Sequence, residues 1–412
     1  MQRSSRQRRR PLFIAGTVAA GLLSIALSSK AGSAATVPPV MPNVGAVTDL
    51  TWGISPAEMD RTVSVLVDTG VRSVRLNANW SSVERTGKAS MDAWALETLD
   101  TAVTKARNAG LEVLMPISDG VPYWASGDPK KSGGTWEKTW RPTNMSDYGD
   151  FVRFIVGRYS PLGVSSYEMW NEPNHPRFWP SGVNAAEYTE MLRAGSAAVR
   201  QANPNAKVLL GGLSSNDHTY LAALYAAGAG PLFDIAAIHP YTGSVDPDLC
   251  WTDATGKKAK DAFCGIEAVR DLMVANGDTA KPIWLTEFGW STASATYGVT
   301  EAQQASFLTS AYTWLSSRPY VTNTFWYQLR NVYWLNDASS DLEANYGVLR
   351  VDYSPKPAAA ALKSVAANQA PRTDDTTTTS SSTAPTTTAT TVAPATTTTT
   401  VAPTPTKRKP HR

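Results

Sequence analysis

Two glutamates stand out in the 412-residue chain because each closes a short β-rich run. Glu172 lies in Tyr167-Glu168-Met169-Trp170-Asn171-Glu172-Pro173-Asn174, and Glu287 in Ile283-Trp284-Leu285-Thr286-Glu287-Phe288-Gly289-Trp290. A pair of carboxyl groups can divide one reaction between them. The protonated one donates to a departing oxygen, while the ionised one attacks carbon or activates water. Cleavage of a glycosidic bond needs such a pair. A second pair is Cys250 and Cys264, the only cysteines. In an oxidising compartment two such thiols tend to join. The bridge would close a loop of about 15 residues, worth at most roughly 3 kcal/mol on the chain-entropy model. Without a nearby His cluster the two cysteines make no metal site.

The carboxyl pair can act only if the fold brings two distant strand ends together. Between Gly45 and about Lys363, short β-rich runs alternate with amphipathic stretches, the pattern of βα units around a parallel sheet. Strand cores are expected at 49–54, 73–77, 112–117, 166–170, 207–211, 234–239, 282–287 and 322–328. Apolar residues at helical spacing mark 91–109, 145–159, 185–202, 262–276 and 301–316. Eight strands with intervening helices predict an α/β chain closed into a (β/α)8 TIM barrel. No Gly-rich phosphate loop follows the first strand, which argues against a dinucleotide-binding sheet. Reactive side chains of such a barrel sit at the C-terminal strand ends. Glu172 and Glu287 end the fourth and seventh runs.

The segments Trp-Asn-Glu-Pro-Asn at 170–174 and Trp-Leu-Thr-Glu-Phe-Gly at 284–289 resemble those of glycoside hydrolase clan A, over roughly residues 45–365. The resemblance implies a retaining β-glycosidase with Glu172 as acid/base and Glu287 as nucleophile. It implies that Asn171 bonds the sugar 2-hydroxyl, a contact that strengthens as the oxocarbenium ion develops. Arg75 resembles the arginine that keeps the nucleophile ionised. Tyr241 resembles the tyrosine that bonds the nucleophile, His239 the polar residue beside it, and Trp326 the tryptophan that floors the subsite of cleavage. Trp124, with Trp80, Trp179 and Trp334, serves either packing or further subsites. Pro122-Tyr123-Trp124-Ala125-Ser126 and the stretch 174–180 resemble family 39. Strand three ends in Pro116-Ile117-Ser118-Asp119, where family 5 usually offers a histidine. The implied reaction acts on β-linked oligo- or polysaccharides and takes no metal or cofactor. A transglycosylase would use the same residues. A catalytically silent carbohydrate-binding surface protein is the alternative from another class.

The flanks read differently. Residues 1–35 combine an Arg-rich start, an apolar run at 12–27 and small residues at 31–35, the three parts of an export signal. Arg9-Arg10 before Leu12-Phe13 loosely resembles a twin-arginine signal. The apolar run is shorter than the ~20 residues a membrane span needs. The catalytic unit is then 36–366. Residues 367–412 turn to Thr, Ser, Pro and Ala with a basic end, a composition expected to stay disordered and to offer a stalk for cell-surface association. Six Lys/Arg fall in 1–34 and four in 407–412, with no acidic residue in either, so the formal +3 becomes −7 for the rest. An acidic body with basic ends excludes a nucleic-acid binder. No stable protein partner is indicated.

Overall fold

Eight parallel strands close on themselves. They are β1 (Asn43–Val47), β2 (Ser73–Arg75), β3 (Glu112–Ser118), β4 (Ser166–Asn171), β5 (Lys207–Ser214), β6 (Ala236–His239), β7 (Ile283–Phe288) and β8 (Val321–Trp326). Each pairs with the next, and β8 returns to β1, where Gly45 lies opposite Phe325. A two-residue strand, Ala78–Asn79, prolongs the β2 run against β3. The computed structural model describes residues 41–51, 53–118, 120–128, 140–332 and 340–369. The expected export segment, the stalk beyond Gln369, Asp119 and Trp334 lie outside the described residues.

Helices follow the strands: α1 (Pro56–Asp68), the short α2 (Trp80–Val83), α3 (Ala93–Asn108), α4 (Met145–Tyr159), α5 (Ala185–Ala202), α6 (His218–Ala226), α7 (Gly265–Ala275), α8 (Glu301–Leu315) and α9 (Pro357–Ala367). Local chemistry sets several starts. Ser55 and Glu58 form a reciprocal capping box on α1, with Pro56 at its first position, and Thr300 with Gln303 does the same for α8.

One expected strand is misplaced. The first strand is Asn43–Val47, not 49–54. Asp49 instead caps a turn, its Oδ1 accepting from the Thr51 amide at 2.8 Å. Crowding inside the barrel explains the choice. A Cβ on Gly45 would stand 2.4 Å from Ser73 Oγ and 2.7 Å from Phe325, so only glycine lets β1 approach its neighbours there.

Apolar packing occupies two layers. The larger core lies between sheet and helices, with Val44, Tyr148, Met169, Leu210 and Trp326 among its buried members. A smaller cluster of Leu114, Leu209, Ile235, Ala237 and Phe325 fills the lower barrel interior. Because successive strand residues face opposite ways, Arg75 and Glu168 share the inner face with Leu114 and Leu209, their register partners. The barrel interior therefore changes from apolar to polar toward its C-terminal mouth.

Candidate active site

Two backbone irregularities aim the carboxylates. At the end of β4, Trp170 takes a left-handed φ of 81° and Glu172 one of 43°. The Trp170 ring is buried against Tyr148 and Trp179, while Asn171 and Glu172 turn to the mouth. Non-glycine residues in this region are uncommon and strained, and the surroundings hold them there. The Glu172 amide donates to Gly212 O at 3.0 Å, and Asn174 exchanges bonds with the Ser214 backbone at 2.8 and 2.9 Å. On β7 a register shift between Leu285 and Phe288 lets consecutive Thr286 and Glu287 both face inward.

Arg75 joins three strands. Its Nε donates to Glu168 Oε2 at 2.8 Å, Nη2 to Asn171 Oδ1 at 2.9 Å, and Nη1 to Glu287 Oε1. The planar guanidinium presents these donors in a fixed fork, so one side chain registers β2, β4 and β7. Tyr241 donates its hydroxyl to the other Glu287 oxygen at 3.0 Å. Burial, then the charge of Glu287, pushes the Tyr241 phenol far above its usual range, so it remains a donor.

His239 faces the second glutamate. Its Nδ1 lies 2.9 Å from Glu172 Oε1 and 3.7 Å from Glu287 Oε2. On the other side Thr286 Oγ1 donates to the Glu168 carboxylate at 2.9 Å, so it accepts from His239 Nε2 at 3.0 Å. With Nε2 committed as donor, the Nδ1–Glu172 contact holds a proton on one partner or the other. Burial lowers the His239 pKa, but the Glu287 charge and the Glu172 hydrogen bond outweigh it and raise the ring above its ordinary value. Gly212 makes the arrangement possible. Any Cβ there would lie 2.0 Å from His239 Nε2 and 2.7 Å from Thr286 Oγ1.

Beneath them Glu168 is fully buried and takes three donors: Arg75, Thr286 and, at 2.8 Å, the Gly212 amide. Its signal in the sequence is its spacing, since a residue on the inner face of β4 just below Glu172 must meet the barrel interior.

Above them opens a cleft of about 1030 Å³, lined in part by Tyr327, Glu343 and Tyr346. Arg75, Asn171, Glu172, Tyr241 and Glu287 line it directly, with His239 packed behind. Two expected residues are elsewhere. Trp326 is wholly buried, its ring 5.4 Å from Phe288 and 5.9 Å from Trp290. Phe325 is the inward residue of β8, so Trp326 points to the helices, and the aromatic ring at the cleft is Tyr327, one residue on. Trp124 does not line the cleft. Its Nε1 donates to Glu84 O at 2.7 Å and its ring meets Trp80 edge-on. Trp80 and Trp179 are buried in the core. Cys250 and Cys264 are bridged, with Cα atoms 5.7 Å apart, in the connection that leaves β6 through Tyr241.

Comparisons with known proteins agree with this architecture. The solved structure of a family 39 glycoside hydrolase from Bacteroides cellulosilyticus WH2 is similar with a TM-score of 0.63 and 22% identity, over 79% of this chain and 64% of that one. A GH5_18 protein from Streptomyces cattleya, solved in complex with GlcNAc, gives 0.60 and 17%, over 81% and 82%. At these identities the likeness concerns the fold. In sequence, a probable glucan 1,3-beta-glucosidase A of Neosartorya fischeri is 30% identical over 148 residues, 35% of this chain and 34% of that protein. The match thus spans about a third of the curated relative. The family model for cellulase, glycosyl hydrolase family 5, matches residues 35–331, which takes in every strand of the barrel and both glutamates. Clan A motifs at the ends of β4 and β7, set in a barrel that this model covers from end to end, place the chain in one family: it belongs to glycosyl hydrolase family 5.

Proposed function

We propose that the chain hydrolyses β-linked glycosides by retaining double displacement. The supporting observation is the His239 contact pair. One nitrogen 2.9 Å from a Glu172 oxygen and 3.7 Å from a Glu287 oxygen keeps those oxygens no more than about 6.6 Å apart. Retaining pairs lie about 5–5.5 Å apart and inverting pairs roughly 6.5–9.5 Å. Glu287, held by Arg75 and Tyr241, attacks the anomeric carbon. Glu172 gives its proton to the glycosidic oxygen, whose bond to that carbon breaks. Asn171 meets the sugar 2-hydroxyl. Water then gives a proton to Glu172 and attacks the same carbon, which releases Glu287.

Residues 36–366 are the catalytic unit in this reading, with 1–35 an export signal and 367–412 a stalk. The Cys250–Cys264 bridge supports export, because such bonds persist in oxidising compartments. The substrate is a β-linked oligo- or polysaccharide, and glucans are the first to try. The test uses activated aryl β-glycosides with azide. Glu287→Gly should be inactive alone and yield an α-glycosyl azide, whereas Glu172→Ala should yield the β-glycosyl azide. An α-configured first product from the unmodified protein, seen by NMR, would overturn the assignment.

A further inference from the structure

A third carboxylate opens into the cleft and has no part in the mechanism above. Glu343 begins the 3-10 turn Glu343–Asn345 and lines the cleft beside Arg177, Tyr327 and Tyr346. Tyr327 donates to its Oε2 at 3.1 Å. Its other oxygen accepts no hydrogen bond among the described residues. Three tyrosines separate Glu343 from Glu287. Tyr241, Tyr327 and Tyr346 meet edge-on, with ring centres 5.3 to 6.1 Å apart, and Tyr241 bonds Glu287.

Its position relative to the two glutamates is telling. Glu343 is exposed on the wall of the cleft. Tyr327, which bonds it, meets Tyr241 edge-on, and Tyr241 bonds Glu287. Glu343 therefore stands on the Glu287 side. In a double displacement the acid marks where the leaving group departs, and the nucleophile marks the ring that is transferred.

We propose that Glu343 and Tyr327 form a binding subsite for hydroxyls of the transferred sugar, with Glu343 accepting and the ring required to be uncharged. The claim rests on the glycosidase reading. A carboxylate that accepts from sugar hydroxyls makes charge-assisted bonds, stronger than neutral ones. A uronate would set like charges together beside Glu287, which is selection by repulsion.

The test uses 2,4-dinitrophenyl β-glycosides: the best neutral sugar, its monodeoxy analogues and the β-glucuronide. In the unmodified protein, removing the hydroxyl that Glu343 receives should lower kcat/KM roughly 10- to 100-fold, as for a hydrogen bond to a charged group. In Glu343→Ala that penalty should vanish, parent and deoxy sugar being cleaved about equally. Glu343→Gln keeps an acceptor and loses the charge, so it should retain part of the penalty and gain on the glucuronide relative to the neutral sugar. If every deoxy penalty in Glu343→Ala equals that of the unmodified protein, the subsite is wrong and the glycosidase reading stands. If the unmodified protein cleaves none of the neutral glycosides, the glycosidase reading fails and the subsite falls with it.

Discussion

Replacing Glu168 with Gln leaves the shape of the barrel floor intact and removes one charge. The native carboxylate has no solvent contact and accepts from Arg75 Nε, Gly212 N and Thr286 Oγ1, all within 2.9 Å. An amide has one acceptor oxygen. Turned toward Gly212 and Thr286, it sets its NH2 against Arg75 Nε; turned the other way, it sets NH2 against two donors. Breaking a buried ion pair by removing one partner costs about 3–5 kcal/mol. Arg75 keeps Glu287, so the lower figure applies, and the loss should be about 3 kcal/mol. For a folded unit of this size that corresponds to a fall in Tm of about 4 °C. Urea unfolding reads it as a lower midpoint at unchanged slope. A loss below about 1 kcal/mol would mean that Arg75 does not need its buried counter-charge, and the account of the polar layer would be wrong.

Two further outcomes are expected. Removing the bridge by Cys250→Ser with Cys264→Ser should lower stability by at most about 3 kcal/mol; the midpoints of the oxidised protein and the double variant decide, and equal values would show that the bridge constrains nothing. His239, whose pKa is raised in the fold, contributes stability that is complete below its ordinary value of about 6.5 and lost as pH climbs through the raised one. The stability difference between the unmodified protein and His239→Gln should therefore shrink from acid toward alkaline pH, and growth instead would reverse the sign of the assignment.

The ends of β4 and β7 were legible because their chemistry is written in contiguous segments that repeat the alternation of a strand. Arg75, Asn171, His239 and Tyr241 follow from the resemblance, and each touches a glutamate or its partner. What the sequence hid depends on contacts across the barrel. Residues 49–54 have stronger strand formers than Asn43-Val44-Gly45-Ala46-Val47, yet closure needs the small residues, a case of packing overriding propensity. Trp326 shows how one residue decides a face: the aromatic of the cleft is its neighbour Tyr327. Glu343 stands in no motif, and only its hydrogen bond to Tyr327, 16 residues earlier, ties it to the cleft.

Gln369, the last described residue, accepts from the Val44 amide at 2.9 Å and donates to Gly70 O at 2.8 Å. Val44 is the second residue of β1 and Gly70 precedes β2, so both lie at the strand starts, on the side opposite the cleft. The two ends of the barrel are thus neighbours, which is the geometry that circular permutation requires. New ends cut into an exposed connection, with Met41 and Gln369 joined by a short linker, should leave the cleft untouched. The same geometry serves display: coupled to a bead or a carrier protein through either end, the barrel would hold its open mouth away from the support.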